Sequence, residues 1–142
     1  YVLMSDGEMQ CGTPWESALI AAQYKLNNLV VIVDVNDYQA MGRTEDILTT
    51  FPLMEKFMSF GWKSVEVENA NDVEQFYETL EADWIDMYDA YGIRQRTVSD
   101  KPLVILGHTT KGKGVPFMEN NNLYHYKQLS QEEYEEAKRE LT

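Results

Sequence analysis

The sequence predicts an α/β protein: a parallel sheet flanked by helices. Three observations carry that expectation. Strand-like and helix-like segments alternate along the chain, the pattern of βαβ units. Two of the strand segments, LVVIVD at 29–34 and PLVILGH at 102–108, are apolar on both faces, as buried parallel strands are. The helix segments carry start signals and apolar stripes at helical spacing.

The first strand is read at residues 1–4, already under way where the sequence begins, which predicts a fragment incomplete at its N-terminus. The loop SDGEMQCG follows. A helix is expected from Pro14 to Leu26, with Thr13 as N-cap, Pro14 at the first position and Glu16 closing a capping box. Trp15, Ala18, Leu19, Ala22 and Leu26 make its apolar stripe. After the strand at 29–34, VNDYQAMGRTED reads as loop, and a short helix covers Pro52 to Phe60, ending at Gly61. KSVEVE at 63–68 alternates, which suits a strand near an edge. A long helix is expected from Asp72 to Tyr91, stopped by Gly92, and RQRTVSD reads as linker. Beyond the strand at 102–108, KGKGVPFMENNNLYHYK is irregular. Ser130 and Glu133 form a capping-box pattern that opens a last helix to Leu141. No repeat or second domain is evident, so the 142 residues read as part of a single domain.

Composition narrows the function. The net charge is −12, from 24 acidic and 12 basic residues. That opposes nucleic-acid binding, which needs a basic face, and opposes capture of an anion by long-range steering. A bound phosphate would need helix N-termini, backbone N–H groups, a metal or a few lysines. The longest apolar run, LVVIV at 29–33, is too short to span a bilayer, and the start has no basic secretory segment. A single cysteine, Cys11, excludes an internal disulfide and suits a reducing compartment, so a cytoplasmic protein is expected.

In parallel sheets, ligands bind beyond the carboxyl ends of the strands. Asp6 and Asn36 both fall there, with 28 residues between Gly7 and Asn36, about one βαβ unit. A carboxylate, an amide oxygen and a backbone carbonyl make a hard oxygen set that suits Mg²⁺. Gly7 permits close backbone approach, and the following helix points its positive end at the same place, which favours a diphosphate. A second reading stands beside this one: Asp-Gly after a strand is often a turn, and Asn36 can bond its own backbone.

SDGE, then one βαβ unit, then DVN resembles the thiamin-diphosphate fingerprint. More closely, SDGEMQCGTPWESALIAAQYKLNNLVVIVDVNDYQAMG and TTKGKGVPFMENNNLYHYKQLSQEEYEEAKREL resemble the diphosphate-binding domain of the transketolase family. The resemblance implies thiamin diphosphate and Mg²⁺ as cofactors. It implies Asp6, Asn36 and the main-chain carbonyl of Tyr38 as metal ligands. It implies Asp6, Gly7, Glu8, Asn36, Lys111 and His125 as cofactor-binding residues, with His125 also catalytic, facing the substrate. From the residues alone, Lys111 reads equally well as a solvated loop lysine, and a lone loop histidine is usually surface. Glu16 matches a glutamate of an acidic network between paired active sites; the capping box is an equally good reading.

Three departures from the family pattern stand out: Ser5 for a glycine, Cys11 for a glutamate, and Tyr126 for a glycine. The stretch 82–100 also looks expanded; its aromatics Trp84, Tyr88 and Tyr91 read by default as core or interface packing, and subunit contact is the expected role of the insertion. The resemblance implies a ketol transferase moving a two-carbon unit from a ketose to an aldose or aldehyde. Its pyrimidine-binding domain does not fit in this chain. A partner is therefore expected, a C-terminal transketolase subunit or domain, assembled as a dimer of heterodimers, with no nucleic acid or membrane involved. Two alternatives remain: another thiamin-diphosphate enzyme of the 2-oxoacid dehydrogenase or deoxyxylulose-phosphate synthase type, or a non-catalytic homologue that binds a partner.

Overall fold

The structure is a computed structural model that describes residues 1–84, 87–88, 94–95 and 99–142. In chain order the elements are β1 (Val2–Ser5), a 3-10 turn (Gly7–Gln10), α1 (Gly12–Gln23), β2 (Val30–Val35), β3 (Tyr38–Gln39), β4 (Gly42–Arg43), α2 (Thr44–Leu48), α3 (Leu53–Ser59), β5 (Lys63–Val67), α4 (Val73–Trp84), β6 (Met87–Tyr88), β7 (Arg94–Gln95), β8 (Leu103–His108), a second 3-10 turn (Asn122–His125) and α5 (Gln131–Glu140). β1, β2, β8 and β5 form one parallel sheet in that order, so the predicted fold class holds and β5 is indeed an edge strand.

The sheet is covered on both faces, which explains its unbroken apolar strands. Val31, Val33, Val104 and Leu106 face α1 and α3, in a core with Ala18, Ala21, Phe57 and Trp62. Val30, Leu103, Ile105 and Val67 face the other way and pack with Phe76 and Leu80 of α4. Register aligns the carboxyl ends: Ser5 lies beside Asp34, and Asp34 beside Gly107. The loops after β1, β2 and β8 therefore emerge together at one edge. Among the described residues, no helix is long and apolar enough to cross a membrane.

Four expectations need correction. First, α1 begins at Gly12, not Pro14; its N-cap is Cys11, in extended conformation and without a side-chain capping bond. Thr13 and Pro14 sit inside the first turn, where proline's missing N–H costs no helical bond, and Glu16 is exposed rather than boxed with Thr13. Second, α1 ends at Gln23, and the reversal at Lys25 (φ 51°) turns Leu26 out of the helix. Ala18 and Ala21 carry its buried face, while Leu19 and Leu26 are exposed. Third, the segment read as loop after β2 contains the β3–β4 hairpin and α2. Fourth, α4 stops at Trp84, because Met87–Tyr88 pairs antiparallel with Arg94–Gln95 and takes the backbone groups that a longer helix would use. Gly92 and much of the 82–100 expansion lie outside the described residues. The Ser130–Glu133 capping box stands as read: Glu133 N–H donates to Ser130 Oγ at 3.2 Å, and Ser130 N–H to Glu133 Oε2 at 2.8 Å.

Candidate functional site

Asp6 directly follows β1 and is fully buried. Its Oδ2 accepts the Asp37 backbone N–H at 3.0 Å and the Thr44 hydroxyl at 3.1 Å. Its Oδ1 is buried with no hydrogen-bond partner. Burial pushes this carboxyl above the ordinary carboxylate range. Bonds from Thr44 and from the Gly7 and Asp37 backbones oppose that rise without cancelling it, and the charge of Asp37 adds to it. A buried acceptor oxygen without a partner, on a carboxyl whose ionisation burial opposes, is an unfinished arrangement. A bound cation would complete it by giving Oδ1 a partner and stabilising the ionised form.

The loop after β2 is folded onto Asp6. Asn36 Oδ1 accepts the Tyr38 N–H at 3.0 Å, and its Nδ2 donates to Asp34 Oδ2 at 2.8 Å. Asp37 takes a left-handed conformation (φ 65°), which aspartate tolerates, and so aims its N–H at Asp6. The predicted ligands Asp6, Asn36 and Tyr38 are thus assembled around one turn. No group of three or more His, Cys, Asp or Glu with metal-site geometry occurs among the described residues. A set of one carboxylate with amide and main-chain oxygens is chemistry that suits Mg²⁺ and not a soft metal. On this oxygen chemistry and the orphaned Oδ1, the residues fit the divalent cation that the resemblance implies.

Gly7 lies against the β3–β4 hairpin: a Cβ there would sit 3.2 Å from Gln39 Cβ. Between Asp6 and α1 stands the 3-10 turn, so the N–H groups beside Asp6 belong to that turn and not to α1, as the sequence had suggested. Ser5 and Glu8 cap the turn reciprocally, with Ser5 N–H donating to Glu8 Oε2 at 2.7 Å and Glu8 N–H to Ser5 Oγ at 3.2 Å. This explains why serine is accommodated at position 5. It also commits one oxygen of Glu8 to the backbone.

The loop after β8 carries Lys111. Gly112 (φ 74°) lets it turn tightly; a Cβ there would meet the Met118 carbonyl oxygen at 2.6 Å. The Asn120 N–H returns to the Lys111 carbonyl at 2.9 Å, and the turn Asn122–His125 brings His125 Nδ1 to 3.4 Å from Lys111 Nζ. Asn122 Nδ2 donates to the Ala40 carbonyl at 3.2 Å, tying the His125 turn to the β3–β4 hairpin. Tyr124 and Lys127, which flank His125, both bond Glu133 of α5. Sequence reasoning missed Asp34, Thr44, Thr109 and Glu133 as supports of the site. For Thr44 the available signal, a threonine opening the helical stretch TEDIL, points to a cap, but the hydroxyl bonds Asp6 instead.

A family model described as "Transketolase, thiamine diphosphate binding domain" matches residues 1–142. One subunit of the apulose-4-phosphate transketolase of Phocaeicola vulgatus is 37% identical over 142 residues, covering all of this chain and 46% of that protein. The corresponding protein from Actinobacillus succinogenes is 40% identical over 141 residues, covering 99% of this chain and 46% of its own length. The chain thus spans about half the length of these relatives. Among solved structures, transketolase from Campylobacter jejuni superposes with a TM-score of 0.79 at 26% identity, over 96% of this chain and 19% of that one. By the match along its whole length, the chain belongs to the transketolase family, as its thiamine diphosphate binding domain.

Proposed function

We propose that this chain supplies the diphosphate and Mg²⁺ half of a transketolase-like active site, and that it works only with a pyrimidine-binding partner subunit or domain. The observation that carries this reading is the buried Asp6 carboxylate, with its unpartnered Oδ1, held against the Asn36–Tyr38 turn. Asp6, Asn36 Oδ1 and the Tyr38 carbonyl would hold Mg²⁺, while Gly7, Glu8 and Lys111 would border the diphosphate. When bound, thiamin diphosphate supplies the carbanion-stabilising chemistry that ketol transfer needs.

The chain's own residues do the rest. Lys111 as an ammonium can only donate, so in its contact with His125 it makes Nδ1 the acceptor and leaves the ring proton on Nε2. His125 in that form offers an N–H to a substrate oxygen. The reaction is transfer of a two-carbon ketol unit from a ketose donor to an aldose or aldehyde acceptor. The names of two relatives make a phosphorylated ketose the first donor class to try. The assembly is a dimer of heterodimers. An exposed, unpaired Cys11 suits the reducing cytoplasm.

The test is turnover by the full-length protein mixed with its pyrimidine-domain partner, thiamin diphosphate and Mg²⁺. Donor ketoses and aldehyde acceptors are assayed with and without phosphate. Two-carbon transfer that requires the partner supports the proposal. Cofactor binding with decarboxylation of a 2-oxoacid instead would replace it with another thiamin chemistry.

A further inference from the structure

Asp34 is an acid near the end of a strand that is otherwise valine and isoleucine, between the buried Val33 and Val35. Such a position needs a reason, because a partly buried carboxylate without donors is costly. Here three segments converge on it. Its Oδ2 accepts Asn36 Nδ2 at 2.8 Å. Its Oδ1 accepts the Thr109 hydroxyl at 2.5 Å. Its backbone carbonyl accepts the Asp6 N–H at 3.1 Å. One residue therefore joins the end of β1, the loop after β2 and the loop after β8.

The chemistry of the first bond is directional. A carboxylate accepts and an amide nitrogen donates, so Asn36 must turn its NH₂ toward Asp34. Its Oδ1 then faces the other way, where it accepts Tyr38 N–H at 3.0 Å and keeps a second lone pair. With the amide reversed, an NH₂ group would face the cation site and could not act as a ligand. The second bond sits two residues before Lys111, and a backbone bond from Thr109 N–H to the Val35 carbonyl at 3.1 Å reinforces it.

We propose that Asp34 is a positioning residue that sets the orientation of the Asn36 amide and pins the Lys111 loop to the same point. It binds neither metal nor cofactor itself. The inference rests on the reading of Asn36 as a metal ligand, and the experiment separates the two.

Thiamin diphosphate is titrated calorimetrically at fixed Mg²⁺ into the full-length protein with its partner, as wild type, Asp34→Leu and Asp34→Asn. Asp34→Leu keeps the branching at Cγ and removes both acceptors, and is expected to weaken binding about tenfold or more. Asp34→Asn can accept from Asn36 and donate to Thr109, so it should stay within about threefold of wild type. Binding by Asp34→Leu as tight as wild type overturns the proposal. Equal damage in both variants also overturns it, because charge and not positioning would then be the cause.

The second arm needs no cofactor and stands even if Asp34→Leu fails to fold. Thr109→Val removes one donor, and amide hydrogen exchange across 109–120 should quicken about threefold or more while exchange in α3 stays unchanged. Unaltered exchange in that loop overturns the pinning role. Wild type that binds no cofactor sinks the proposed function, while the exchange result still decides what Asp34 organises.

Discussion

At the scale of single residues, Asp6 carries opposed demands. Its carboxyl sits above its unfolded value because burial disfavours the charge. Between the unfolded and folded values the folded state holds the extra proton, so stability falls as pH rises through that window. Above that window the buried charge of the cation-free protein is destabilising. Asp6→Asn should raise the melting temperature of the cation-free protein at pH values above that window. The same change should abolish Mg²⁺-dependent cofactor binding. A lower melting temperature would show that the carboxylate is satisfied without a cation. His125 makes a contrasting prediction. His125→Ala should cut kcat by roughly 10²–10⁴ while cofactor affinity stays within about threefold, measured by steady-state kinetics beside calorimetry. A loss of affinity with unchanged kcat would place His125 outside the reacting atoms.

At the scale of elements, the sequence carries three Ser/Thr-x-x-Glu patterns: Ser5–Glu8, Thr13–Glu16 and Ser130–Glu133. The second and third read as boxes; the structure forms the first and third. The pattern alone cannot decide, because a box needs its first residue extended at the helix start. Cys11 takes that conformation in place of Thr13, so the helix starts before the predicted box. The apolar strands, by contrast, were legible because period and burial agree. Asp6 and Asn36 stood out as strand-end polar residues, and the structure brings them to one turn, whereas Asp34 and Thr109 were hidden because their contact depends on register between strands distant in sequence. The last helix has a consequence of its own. Glu133 caps α5 and also receives bonds from Lys127 and Tyr124, which hold its carboxyl down to about 2. A depressed carboxylate contributes stability above its unfolded value and loses it as pH falls. Exchange protection of α5 and the His125 turn should thus fade between about pH 4.5 and 2, the unfolded and folded values. Glu133→Gln should flatten that dependence. Ser130→Ala should cost about 1 kcal/mol by chemical denaturation, the usual worth of such a cap.

At the scale of the whole molecule, the edge of the sheet matters. β1 lies at the edge of the sheet, with Val2 and Leu3 exposed. Beside it opens an apolar cleft of about 510 Å³ lined by Met4, Pro14, Val31 and Trp62 among others. Edges and apolar clefts of this kind promote association. Residues 1–142 alone should self-associate in light scattering and bind no thiamin diphosphate; a monomer that binds it tightly would show that the half-site suffices. In the proposed function, Asp6 and Asn36 anchor the diphosphate through a divalent cation, and the remainder of the site comes from a partner. The most direct test of this arrangement is a thiamin diphosphate titration of the full-length protein and its pyrimidine-domain partner, with and without Mg²⁺, in wild type and Asp6→Asn. Saturable binding that needs Mg²⁺, needs the partner and disappears in Asp6→Asn is the predicted result. Binding indifferent to Mg²⁺ or to Asp6, or no binding in any combination, would contradict it.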